Sequence, residues 1–293
     1  MEGLIITDII FNNQRGESST LSNRTSSFLL QSYEGFGEVE AEIQDQKSPY
    51  QDGSRLVDTL LQNRPLTIGV LLQAETPREL SNLKQKLYRV FNPKLGEGVL
   101  RYERYEEVYE INAVPEGSPS ILSGSQNSGP TFQKVLIELI AHDPYWREPQ
   151  KVSRALRAYE GKFHFPVTFP VQFGLAGDSI DLSNEGHVPC SVTMDIQGPV
   201  TNPHIKNLTT GESMKINRAL GHDEVLHIDT HPRHKRVEVY RNGDRISNAF
   251  GWLEQDYDML QLEVGKNEIQ YMADAGETDA IVAIGWRNLY IGV

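Results

Sequence analysis

The sequence predicts a mainly β protein of two domains: an N-terminal β-sandwich or barrel-like domain carrying one helix, then a C-terminal β-sandwich. Three observations predict it. Apolar runs of strand length recur along most of the chain, with Gly, Pro, Asn and Asp between them. Only one stretch has an apolar period of helical type. After Trp146 the composition turns polar over 147–161, and strand patterning resumes near Lys162 with no further helical period. The expected division is therefore 1–146, a linker at 147–161, and 162–293.

Taken in order, "EVEAEIQD" (38–45) sets Val39, Ala41 and Ile43 against acidic neighbours, the alternation of a strand. In "ETPRELSNLKQKLYRVFNP", Thr76 is an N-cap, Pro77 suits the first helical position, and Glu79 completes a capping box. Leu80, Leu83, Leu87, Val90 and Phe91 then fall on one helical stripe, which Pro93 stops. That stripe is expected to pack on the first sheet, which includes the apolar run "PLTIGVLLQ" (65–73). "YERYEEVYE" (102–110) reads as a hairpin whose tyrosines and carboxylates share a half-exposed surface. "EGSPSILSGSQNSGP" (116–130) is expected to be a flexible loop before the strand "KVLIELIAH" (134–142). The second half opens with "KFHFPVTFPVQFG" (162–174). There "CSVTMDIQG" (190–198) alternates cleanly, "NPHIKNLTTGESMKIN" (202–217) reads strand, turn, strand, and Asn242-Gly243 is a two-residue hairpin signal. "EVLHIDT" (224–230), "MLQLEVGKNEIQYMA" (259–273) and "AIVAIGWRNLYIGV" (280–293) continue the strands.

Composition and motifs then exclude function classes. The 293 residues carry 40 acidic against 28 basic side chains, a net charge of −12. That balance argues against gripping nucleic-acid phosphates or an anionic membrane. No run reaches the roughly 20 apolar residues of a spanning helix. Glu2 and Asp8 do not suit a signal peptide, so synthesis in a cytoplasm is expected. Cys190 is the only cysteine, so no intrachain disulfide forms, and its alternating strand makes it a small core residue. His227, His231 and His234 have helical spacing, but Pro232 bars a helix there. On a strand His227 and His231 stand roughly 13 Å apart, and Arg233, Lys235 and Arg236 oppose a cation beside His234. No metal site is expected, although a curled loop would bring His231 and His234 together. No G-x-S-x-G elbow or H-E-x-x-H is present, and "GLAGDS" (174–179) lacks the setting of a phosphate loop. The hairpin carboxylates are explained by a solvated strand pair without glycosidase chemistry. Asn207-Leu208-Thr209 matches a glycosylation acceptor only formally. No enzymatic activity and no cofactor are expected.

Four segments carry a resemblance. They are "HDPYW" (142–146), "NEGHVP" (184–189), "GPVTNPHIKNLTTG" (198–211) and "LEVGKNEIQY" (262–271), with "IGWRNLYIGV" closing the chain. In this order the sequence resembles the distal tail proteins of long, non-contractile-tailed bacteriophages. The resemblance implies a galectin-like C-terminal sandwich and a structural role at the virion tail tip, after assembly in the host bacterial cytoplasm. It implies a homohexameric ring built from the N-terminal domains and docked on the tail-tube protein. The other face receives the tail-tip hub or tail-lysin protein, and some members carry receptor-binding proteins. DNA passes through the lumen without specific binding, and nothing inserts in a membrane. Tyr102, Tyr105 and Tyr109 are the residues expected to meet another copy or a partner, and acidic residues of "EVEAEIQDQ" (38–46) or of the "YERYEEVYE" hairpin, among them Glu106, Glu107 and Glu110, are candidates to line the channel, the alternative being a solvated outer wall. The alternative is a carbohydrate-binding module for host cell-wall glycans, for which "NAFGWLEQD" (248–256) and "VYRNGD" (239–244) offer residue types without a pattern.

Overall fold

The computed structural model describes residues 6–24, 27–157, 179–276 and 280–293. The chain divides into two compact units, Met1–Pro149 with Tyr290–Val293, and Gln150–Leu289. The fold is mainly β, as the sequence predicts.

The first unit holds β1 (Thr7–Asn12), β2 (Ser18–Ser22), β3 (Phe28–Glu34), β4 (Ala41–Gln46), β5 (Arg55–Leu61) and β6 (Arg64–Gln73). After these come α1 (Pro77–Val90), β7 (Gly98–Arg104), β8 (Glu107–Pro115), β9 (Ser120–Ile121), β10 (Phe132–Ala141) and β11 (Trp146–Arg147). Strands pair in the order β8-β7-β1-β2-β3-β6-β10, and β10 returns to β8 through Leu139↔Pro115 and Ile140↔Val114. The sheet therefore closes on itself into a barrel, with β9 continuing beyond β10 and β11 beyond β8 as outer strands. Alternation points Ile9, Phe11, Leu66, Ile68, Leu72, Leu100, Ile111 and Leu139 inward, all essentially without exposure.

The helix forms as its caps require. Thr76 Oγ1 accepts from Glu79 N at 3.2 Å, and the Glu79 carboxylate turns back to Glu75 N at 2.9 Å, one residue before the cap. Leu80, Leu87 and Val90 are buried, and α1 packs on β6 and β2. Phe91, the C-cap, stacks on Phe11 with ring centroids 4.8 Å apart. Pro93 opens a short 3-10 turn instead of extending the helix. The 116–130 segment is held more firmly than its composition suggests. β9 pairs with β10, and the buried Gln133 amide donates to the carbonyls of Leu122, Asn127 and Lys134 at 2.7, 3.2 and 3.0 Å.

The second unit holds β12 (Val152–Arg157), β13 (Ser179–Asn184), β14 (Cys190–Gln197), β15 (Val200–Thr201), β16 (His204–Asn207), β17 (Ser213–Lys215) and β18 (Ala219–Leu220). It continues with β19 (Glu224–Asp229), β20 (Arg236–Arg241), β21 (Asp244–Asn248), β22 (Gln261–Leu262), β23 (Gly265–Met272) and β24 (Ile281–Trp286), and β25 (Leu289–Tyr290) ends at the boundary. One sheet runs β12-β24-β14-β19-β20-β21 and the other β13-β23-β16-β17. Val192, Met194, Leu226, Val237 and Ile284 of the first share one core with Leu182, Ile205, Met214 and Ile269 of the second. This is a β-sandwich. Asn242 and Gly243 both take positive φ, 53° and 89°, and close the β20–β21 hairpin in two residues.

Two expectations are corrected. The stretch 147–157, read as linker, is strand at both ends. Arg147 pairs with Glu110 of β8, and β12 pairs with β24. Residues 158–161 and the anticipated start at 162–174 lie outside the described residues. The last four residues, placed with the second domain by their strand-like pattern, belong to the first unit. The reason is non-local: backbone groups there meet partners around Phe36 and Arg64 that no local pattern reveals.

Candidate functional site

The three tyrosines part company. Tyr102 is 2% exposed. Its ring lies 5.2 Å from Phe36 and 6.2 Å from Trp146, its hydroxyl is 3.2 Å from that of Tyr33, and burial pushes its phenol up to about 12. Within the single chain it is a core residue, unlike the exposed Tyr105. β7 alternates strictly, and Tyr102 falls on its inward side. Tyr109, directly opposite Tyr102, is half-buried and packs edge-on against Tyr290 at 5.1 Å. Tyr105 sits in the two-residue turn with φ 56° and is 70% exposed. The hairpin carboxylates lie beside guanidinium groups: Glu103 pairs with Arg101 at 2.6 Å, and the register sets Glu110 opposite Arg101 and Glu107 opposite Arg104.

The histidines are placed just as concretely. His227 Nδ1 lies 2.6 Å from Asp195 Oδ1 across β19–β14. His231 and His234 do come together, stacked at 4.1 Å, with His234 Nε2 3.3 Å from Asp229 Oδ2. Among the described residues no group of three or more His, Cys, Asp or Glu side chains is arranged for a metal ion. The Asp195 hydrogen bond holds the His227 pKa above its usual value, with Asp229 adding to it and burial and Lys151 opposing. A histidine pKa raised in the folded state contributes stability that is fully present below the unfolded pKa and is lost as pH rises through the folded one. His227→Gln is expected to remove that part of the pH dependence, which sets in at the ordinary histidine pKa of about 6.5 and extends above it. Urea unfolding of the second unit across that range checks it. An identical pH profile for both proteins would refute the assignment.

The residues that carry the resemblance are buried amides. Asn184 donates to Val188 and Leu262 carbonyls at 2.9 and 3.1 Å and accepts from Gly186 N at 3.0 Å. Asn207 and Asn267 have no exposure and meet each other at 3.1 Å, and Asn267 also donates to Glu263 O at 2.7 Å. They satisfy backbone groups at turns, which a buried turn requires. Asn207 is therefore closed to glycosylation. Cys190 is 1% exposed, and burial pushes its thiol up to about 12. Trp252 carries the Arg218 guanidinium over its ring at 3.9 Å, on a face a sugar would need.

The surface that stands out is the ribbon β4–β5. "EVEAEIQD" does form a strand, but every residue of β4 is exposed. Its alternation buries nothing within this chain. The register puts Ala41 opposite Leu61, Ile43 opposite Thr59 and Asp45 opposite Leu56, on one face. The other face pairs Glu42 with Leu60 and Gln44 with Asp58. Ile43 is 68% exposed, Leu56 61%, Val57 62% and Leu60 47%. Both roots are tightly held. Gln62 N donates to Glu40 O at 2.8 Å. Arg64, with no exposure, donates from Nε to Pro144 O at 2.8 Å, and from Nη1 to Gly35 O and Glu38 O at 2.7 Å each and to Phe36 O at 3.4 Å. Its Nη2 donates to Ile291 O. No signal in the sequence marked Arg64.

Comparison with known proteins places this architecture. The model of a family described as "Phage tail protein RIFT-related domain" matches residues 15–141, and that of the "Siphovirus-type tail component, C-terminal domain" matches 185–290. The chain belongs to the siphovirus-type tail components. The tail component's barrel falls in the first match and most of its sandwich in the second. Its fold is similar to the crystal structure of phage SPP1 Dit (gp 19.1), with a TM-score of 0.68, 14% identity, and coverage of 97% of this chain and 98% of that one. It is similar to a chain of the phage P2 baseplate with Ca, with a TM-score of 0.55, 10% identity, and coverage of 99% and 100%. No curated protein matches by sequence. Both matched families are structural components of phage tails.

Proposed function

We propose that this tail component is the hub at the distal end of the tail. It closes into a homohexameric ring through its first unit, between the tail-tube protein and the tail-tip hub or tail-lysin protein, and leaves a lumen for DNA. The second units then carry receptor-binding proteins. The ring is assembled in the host bacterial cytoplasm. The observation that carries this reading is the ribbon. A two-stranded ribbon alone in water is marginally stable, and an edge with an apolar face is a template for another chain. A second copy is the fitting occupant. A ribbon laid on the neighbouring barrel is a heterologous contact, and heterologous contacts that close give rings. The shared fold with a protein described as a paradigm of a phage hub adsorption apparatus supports the same reading. Tyr105, at its exposed turn, is proposed as a further contact.

Light scattering and electron microscopy of the purified chain test it. The expected particle is a ring of six times the 33.1 kDa chain mass. A persistent monomer at concentrations on the order of tens of micromolar would sink the reading, because obligate assemblies are populated by mass action in that range.

A further inference from the structure

We propose that Tyr290–Val293 form a strap that fixes the root of the β4–β5 ribbon, so that the last four residues set the direction in which the ribbon leaves the barrel. This rests on the reading of the ribbon as the ring-closing element. The ribbon leaves the barrel after Gly35–Glu38 and returns at Arg64. The contacts of Ile291, Gly292 and Val293 fall on those roots. Ile291 offers its carbonyl to Arg64, whose other acceptors are Gly35, Phe36 and Glu38 of the outgoing root and Pro144 of the barrel. Val293 N donates to Phe36 O at 3.2 Å, the same carbonyl that accepts from Trp146 Nε1 at 3.1 Å. Gly292 lies so close to Gly37 that a Cβ built on it would stand 2.4 Å from Gly37 O. Tyr290 anchors the strap's beginning, with its ring on Tyr109 and its hydroxyl donating to Glu148 Oε1 at 2.5 Å.

The barrel itself closes elsewhere, through β10 on β8. The strap begins in β25, the outermost strand of that sheet beside β11, and its last three residues lie beyond the strand. It adds the Val293 N–H and the Ile291 carbonyl to a root already held by Arg64 and Trp146, and segments with fewer such ties open locally at lower free-energy cost. A ribbon whose root is loose samples many directions, and a ring closes only when each copy presents the same contact geometry.

Two variants test this in the otherwise complete chain: Gly292→Val, which has no room against Gly37, and a chain ending at Leu289. Hydrogen exchange and electron microscopy are read together. Backbone amides of Gly35–Glu38 and Gln62 are expected to exchange roughly 30-fold faster or more in both variants, since they pass from tied to locally open. Amides of β6 and β10 keep their protection, and rings are lost. Unchanged root exchange overturns the strap. Loss of β6 and β10 protection also overturns it, because the tail is then part of the barrel's fold. If the wild type forms rings, normal rings from variants with a loosened root overturn it as well. A wild type that forms no rings refutes the ring reading by itself and leaves the exchange result to decide the strap.

Discussion

Replacing Arg64 by methionine is expected to destabilise the first unit by about 1–3 kcal/mol, the range for leaving buried hydrogen-bonding groups without their partner. The guanidinium has no exposure and is held by backbone carbonyls of Pro144, Gly35, Phe36, Glu38 and Ile291. Burial depresses its pKa, and the nearby Glu38 charge raises it only in part. Carbonyl dipoles, not a buried carboxylate, therefore compensate the charge. Methionine matches the length but donates nothing, so those carbonyls lose their donor in a dry site. Arg64→Lys is expected to fall between, because one ammonium offers three donors where the planar fork offers five. Urea unfolding followed through β6 amide exchange measures both. A loss below about 1 kcal/mol for the methionine variant would mean that water takes over the cage.

Charging the apolar face of the ribbon is expected to abolish rings while leaving the monomer intact. In Ile43→Lys with Leu56→Lys, both sites lie on one face and are 68% and 61% exposed. Exposed substitutions of this kind change monomer stability by about 0.5 kcal/mol or less. At a contact between copies the same side chains would be buried. Losing two large apolar side chains there removes about 3–6 kcal/mol, a factor of roughly 10² to 10⁴ in the affinity of each contact. Every contact in a closed ring carries the loss. Light scattering then reads monomer, and the melting curve stays where it was. Rings at wild-type yield from the double variant would remove this face from the interface.

Much of the fold was legible because its signals are local. Thr76, Pro77 and the stripe from Leu80 to Phe91 define α1 within fifteen residues or so of sequence, the scale on which capping and helical period act. Asn242-Gly243 defines a hairpin because both residues tolerate positive φ. Asn184, Asn207 and Asn267, which lie in the segments that carry the resemblance, are the buried amides that close turns. The candidate site was less legible. Alternation in "YERYEEVYE" identified a hairpin but not its inward side, so Tyr102 was assigned to a surface it does not reach. The same alternation in β4 identified a strand, and the structure leaves it without a core to cover.

By itself, then, the sequence determined the one helix and most of the strands, since propensity, period and turn chemistry are properties of neighbouring residues; it left β9, β11 and β12 unmarked. Only the tertiary structure decided which faces are covered and by what. It closed β10 on β8 into a barrel, left the β4–β5 ribbon bare, and carried Tyr290–Val293 back to the first unit. The physical reason is distance along the chain. Arg64 and Ile291 meet across 227 residues of separation, and a guanidinium caged by backbone carbonyls leaves no trace in the side chains around it.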